Sequence, residues 1–141
     1  MPDDHATPAA AEAAFYEAFE AGDVEAMMAV WMDDDDIACV HPGSVRLSGR
    51  KEVREAWRQI FSGSTRLNFR IASLKSVEGP TLAVRSVYEQ ISVEGQSVAV
   101  NPVVATNVFV KTPRGWRLWM HHASPLAGAE DDPDDAPATL H

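Results

Sequence analysis

Up to Phe61 the apolar residues recur three and four apart; from Leu67 onward they alternate with polar ones. The first spacing lays a stripe along a helix, and the second lays a face along a strand. Helices followed by a run of antiparallel hairpins give an α+β chain, with the helices on one face of a curved sheet.

Three helices are expected. The first has Thr7 as N-cap, Pro8 at its first position and Gly22 as its stop, with Ala11, Phe15, Ala18 and Phe19 on one face. Asp23 caps a short second helix, from which Val24, Met27, Met28 and Trp31 point inward. The third follows Ser48-Gly49 and carries Val53, Ala56, Trp57, Ile60 and Phe61 on one stripe. Strands then begin at Leu67, span Leu82 to Val93, run from Val98 to Lys111 with a bulge or bend at Pro102, and end with Trp116 to Ser124. Turns fall at Gly79-Pro80, Glu94-Gly95 and residues 112–115.

The chain has 141 residues and reads as one domain over 7–126. Residues 1–6 form a flexible arm, and 127–141 an acidic, Pro- and Ala-rich disordered tail. The net charge is −9, but Asp3, Asp4 and the five acids at 130–135 supply seven negatives, so the body is near neutral. With no basic stripe interleaved with aromatics, nucleic acid is not an expected partner. The start carries no signal-peptide pattern and no apolar run spans a bilayer, so no membrane is expected and the location reads as cytoplasmic. A single cysteine, Cys39, excludes an internal disulfide.

The stretch from Trp31 to Gly43 concentrates the candidate chemistry. Asp33 to Asp36 lack the alternate carboxylates, turn glycine and distal glutamate of a calcium loop, and read as a solvated loop after the second helix. Cys39 reads as a small buried hydrophobe, although His41 two positions on shares its face. His41 is held extended before Pro42. It is either a polar residue lining a pocket or a buried structural histidine. His121 and His122 face opposite sides of the last strand, so only one can join His41. Strict alternation puts His122 with Trp116, Leu118 and Met120, on the side read as inward, and His121 with Arg117 and Trp119, on the dimer side; the sequence also admits the two faces exchanged. No metal and no cofactor is expected. Phe15, Tyr16, Phe19, Trp31, Trp57 and Phe61 are core aromatics that also suit the wall of a pocket for a flat apolar ligand.

Four strings, at 18–31, 40–57, 105–110 and 115–125, resemble the nuclear transport factor 2-like superfamily in order and spacing. Within it the closest likeness is to the SnoaL-like and calcium/calmodulin-dependent kinase II association-domain-like groups. The resemblance implies a cone-shaped fold, with three N-terminal helices packed on a strongly curved antiparallel or mixed sheet, a ligand pocket between them, and a homodimer through the outer sheet face. Compared with the ketosteroid isomerase branch, His41 falls near the catalytic aspartate, Phe15 near the tyrosine donor and Asn107 near the protonated aspartate. None of the three residue types matches.

The resemblance therefore implies a small-molecule pocket protein, of isomerase or cyclase type. Its chemistry would be metal-free proton transfer on an apolar carbonyl-bearing ligand. In it His41 is the base, Asn107 its orienter and His122 or a tyrosine the second polar group. The alternative is a non-catalytic homodimeric association module.

Overall fold

The computed structural model describes residues 4–96 and 102–126. Three helices, α1 (Pro8–Ala21), α2 (Val24–Val30) and α3 (Gly49–Phe61), pack on a six-stranded sheet. Its strands are β1 (Ala38–Val40), β2 (Arg46–Ser48), β3 (Leu67–Glu78), β4 (Leu82–Val93), β5 (Val103–Thr112) and β6 (Gly115–Pro125). They lie in the order β2-β1-β6-β5-β4-β3. β1 runs parallel to β6 and every other pair is antiparallel, so the sheet is mixed. The architecture is an α+β cone whose concave face is closed by the helices.

The helix ends follow from local chemistry. Thr7 Oγ1 accepts from the Ala10 amide at 3.0 Å, and Asp23 Oδ1 accepts from the Ala26 amide at 3.0 Å. Gly22, at φ 66°, takes the left-handed turn that ends α1. Beyond α2 the four aspartates are exposed. Negative charge at a helix C-terminus is unfavourable, and Arg50 offsets it. Its guanidinium donates to the Met32 carbonyl at 2.6 Å and the Met28 carbonyl at 3.3 Å, and lies 3.8 Å from Asp33.

The core fills the space between helices and sheet. Phe15, Met27, Val53, Trp57, Val87, Phe109 and Leu118 are fully buried. Each such side chain contributes roughly 1.5–3 kcal/mol of transfer free energy.

Several sequence expectations shift. Ile60, expected on the inner stripe of α3, is 41% exposed, because the helix is covered only along Val53, Trp57 and Phe61. β5 begins directly after Pro102, so the proline precedes the strand; residues 97–101 fall outside the described set. His5, expected in a loose arm, is bridged to Gly115, and its carbonyl accepts the Trp116 amide at 2.8 Å. The expected tail at 127–141 also falls outside the described residues.

The most consequential difference is in β6. Val108 pairs with Met120 but Phe109 pairs with Leu118, so Trp119 is an extra residue. A bulge resets the two-residue alternation. Leu118, His121 and Ala123 are buried, while His122 is exposed. The expected inward placement of His122 is therefore corrected: the inward histidine is His121.

Candidate functional site

The buried polar groups converge on Asn107 in the middle of β5. Register places Asn107 opposite Arg85 on β4 and opposite His121 on β6, all on the concave face. α1 crosses this point and contributes Glu12 and Tyr16. Asn107 Nδ2 donates to Glu12 Oε2 at 3.0 Å and to the Tyr16 hydroxyl at 3.3 Å. Its Oδ1 lies 2.6 Å from His121 Nδ1. Arg85 Nε donates to the other Glu12 oxygen at 2.8 Å. The Tyr16 hydroxyl donates to Glu89 Oε2 at 2.5 Å. Each polar side chain of this cluster thus has a partner, as burial requires.

Burial dominates the electrostatics. Desolvation raises Glu89 to about 7, with the Glu12 charge adding to it and the Tyr16 hydrogen bond opposing it. Desolvation and the Glu89 carboxylate push the Tyr16 hydroxyl far above its usual value, so it stays protonated. His121 is lowered to about 3, chiefly by desolvation, then by His41 and His122, and is neutral near pH 7.

His41 lies just past β1, beside this cluster. Its ring centroid is 6.3 Å from that of His121 and 4.8 Å from that of Trp57, the Trp57 contact being edge-on at 89°. Burial lowers its pKa, which leaves a neutral imidazole able to accept a proton. Cys39 Sγ is 3.6 Å from His41 Nε2. The thiol is fully buried and desolvation pushes it up to about 12, so it is no nucleophile at neutral pH.

Asn107 therefore holds His121, not His41 as the sequence suggested. Phe15 lies between the two halves of the site, its ring 4.9 Å from His121, 5.8 Å from Trp57 and 6.4 Å from Trp31. Phe19 continues the wall, 4.8 Å from Trp57 and 6.0 Å from Phe61. The aromatics singled out in the sequence are thus one contiguous cluster. Phe19 and Phe61 also line a small cavity of 150 Å³ with Ile60, Thr65, Arg66 and Leu67. A larger cleft of 480 Å³ lies elsewhere, between the acidic loop and the β5–β6 turn, and includes neither His41 nor His121. Trp31 and Trp57 bury their indole N–H groups without an acceptor among the described residues.

Glu12, Arg85 and Glu89 escaped the sequence reading. The signal was present in their register: Glu12 precedes Phe15 and Phe19 by three and seven on α1, and Arg85 and Glu89 stand two positions either side of Val87 on β4, on its face. Charges placed on an apolar face are buried by the same periodicity that buries their neighbours. Among the described residues no group of three His, Cys, Asp or Glu side chains is disposed to hold a metal ion.

The profile of the SnoaL-like domain family matches residues 9–128. A Thiobacillus denitrificans protein, described as a calcium/calmodulin-dependent protein kinase type II association domain, is 38% identical. It superposes with a TM-score of 0.82 over 86% of this chain and 97% of its own. A Streptomyces avermitilis protein, described as a dehydratase of the nuclear transport factor 2-like family, is also 38% identical. Its TM-score is 0.74, over 82% of this chain and 91% of its own. The F-box protein SKIP8 of Arabidopsis thaliana is 25% identical over 101 residues, 72% of this chain. The chain matches only 42% of that relative's length. With the fold, the register and the family profile in agreement, the chain belongs to the SnoaL-like domain family of the nuclear transport factor 2-like superfamily.

Proposed function

We propose that the protein binds a flat, apolar, carbonyl-bearing small molecule in the cone and moves a proton on it without a metal, as an isomerase or cyclase does. The observation that carries this reading is the neutral histidine pair, His41 and His121, with ring centroids 6.3 Å apart inside an aromatic cluster. His41 is the base. It takes a proton from the carbon beside the carbonyl; the C–H electron pair forms a carbon–carbon double bond and the carbonyl π pair moves onto the oxygen. As this enolate re-forms the carbonyl, protonated His41 returns the proton at another carbon of the conjugated system. An orphaned indole N–H, at Trp57 or Trp31, is the donor suited to that oxygen. His121, at about 3, is too weak a base for this step and serves as a hydrogen-bond acceptor. Phe15, Tyr16, Phe19 and Phe61 form the apolar wall, with entry past Phe19 and Phe61. The likeness to a protein described as a dehydratase is consistent with this chemistry, since dehydration of a hydroxy ketone also begins with loss of such a proton. Titration of flat cyclic ketones, followed by quenching of Trp31 and Trp57 fluorescence, tests it. Affinity unchanged in His41→Ala across the ketones that bind would remove His41 from the site.

The second reading is a non-catalytic homodimeric association module, joined through the outer sheet face. It is favoured by a cone interior filled by its own side chains, Phe15 and Trp57 being fully buried, and by the 38% identity to the protein described as an association domain. A monomer in light scattering at micromolar concentration would remove it.

A further inference from the structure

We infer that Glu12, which contacts neither His41 nor His121 directly, fixes the tautomer of His121 through Asn107 and so makes the site select ligands that bring a hydroxyl donor. The inference deepens the proposed function and rests on it only for the ligand; the tautomer itself is a property of the protein alone.

The chain of cause begins with charge. Glu12 is held by the Arg85 guanidinium at 2.8 Å, and its side chain is almost wholly buried. A carboxylate only accepts hydrogen bonds. The Asn107 atom 3.0 Å from Glu12 Oε2 must therefore be the amide nitrogen. The second amide proton goes to the Tyr16 hydroxyl, whose own proton is committed to Glu89. That leaves Asn107 Oδ1 toward His121, 2.6 Å from Nδ1. An oxygen at that distance requires a proton on Nδ1. The neutral ring then carries no proton on Nε2. No hydrogen bond to Nε2 exists among the described residues. Nε2 is thus a bare acceptor, on a ring that sits in the aromatic cluster with its centroid 4.9 Å from that of Phe15 and 6.3 Å from that of His41. A ligand hydroxyl satisfies it; a second carbonyl there would set two acceptors face to face.

Glu12→Gln makes the inference testable, because Arg85 constrains the new amide. The guanidinium only donates, so it draws the glutamine oxygen and turns the glutamine NH₂ toward Asn107. Asn107 then flips to present its oxygen to the glutamine NH₂ and to the Tyr16 hydroxyl, whose proton turns from Glu89. Glu89, raised to about 7, takes up a proton and donates to the Tyr16 oxygen. The Asn107 nitrogen turns to His121 Nδ1, and the His121 proton moves to Nε2.

The experiment is two-bond ¹⁵N–¹H correlation NMR on the histidine rings of the full chain, at neutral pH. In the wild type His121 is expected to show a protonated Nδ1 and a bare Nε2. In Glu12→Gln the Nε2–H form is expected to appear, and Arg85→Met added to that variant is expected to restore Nδ1–H. A bare Nδ1 in the wild type overturns the inference whether or not the variant folds. So does a folded Glu12→Gln that keeps Nδ1–H alone. In parallel, α-tetralone and its ring-hydroxylated analogue are titrated by fluorescence. The hydroxylated ketone is expected to bind about fivefold tighter to the wild type, the worth of one hydrogen bond, and to lose that margin in Glu12→Gln. An equal margin in both proteins overturns the selectivity. Failure of every ketone to bind overturns the proposed function and leaves the tautomer result standing.

Discussion

Asn107 Oδ1 meets His121 Nδ1 at 2.6 Å across the β5–β6 pair, and the contact exists because one extra residue, Trp119, shifts the register between them. Without that bulge His121 would face outward and the exposed His122 would take its place. The interior chemistry of the cone thus depends on a backbone irregularity.

Stability should respond to pH through two buried groups of opposite sign. Glu89 is raised from 4.5 to about 7, so between these values the folded chain holds a proton that the unfolded chain has released. Stability from this group is full below about 4.5 and falls as pH rises through 7, by roughly 3 kcal/mol. Glu89→Gln keeps the hydrogen bond to Tyr16 and should remove that fall between about pH 4.5 and 7 in urea unfolding curves.

His121 acts in the other direction. Its pKa falls from 6.5 to about 3, so the unfolded chain takes up a proton that the folded chain refuses. Stability from it is full above about 6.5 and is lost as pH falls toward 3. His121→Leu should abolish the acid slope while leaving the Glu89 slope in place. Between about pH 4.5 and 6.5 the two slopes oppose one another in the wild type, so each is read in the other's variant. A His121→Leu profile that does not fall between about pH 4.5 and 7, or a Glu89→Gln profile that does not rise between about pH 3 and 6.5, would contradict the corresponding assignment.

Arg50→Ala should destabilise the fold by about 2 kcal/mol, since charge-assisted hydrogen bonds to the Met28 and Met32 carbonyls are lost and the aspartates stand unopposed beyond α2. Only a minor part of that loss should return in an additional Asp33→Asn variant, measured by thermal unfolding, because the lost hydrogen bonds stay lost and Asp33 is fully exposed. No return would show that Asp33 charge does not matter there.

Gly115→Ala should cost more than an ordinary turn substitution. Gly115 has φ 86°, and an added Cβ would meet the His5 carbonyl oxygen at 2.6 Å and the His5 nitrogen at 2.8 Å. Backbone cannot give way as a side chain can, so the His5–Gly115 bridge should open. Faster amide exchange at Trp116, whose N–H is held by His5, reports this directly.

The helices were legible from sequence because their signals are local. Thr7, Pro8, Gly22 and Asp23 set the ends of α1 and α2 within a few residues of chain, and the structure keeps each in that role. The inward histidine was not legible, because alternation carries no mark of a bulge until partner strands are paired. Glu12, Arg85 and Glu89 were missed for a related reason. Their placement depends on partners 73 positions apart in the chain, the ion pair Glu12–Arg85 and the hydrogen bond Tyr16–Glu89. His41 was found because its proline neighbour and its place in the resemblance both drew attention to it; its partners, Trp57 and His121, emerged only with the fold.

Proton transfer at His41 is tested most directly by exchange of the hydrogen beside the carbonyl of α-tetralone in D₂O, followed by proton NMR. The wild type is expected to accelerate exchange over buffer, and His41→Ala to lose about a hundredfold or more of that acceleration, the usual contribution of a positioned base. Exchange at the buffer rate in the wild type, or at the wild-type rate in His41→Ala, would contradict the proposed chemistry.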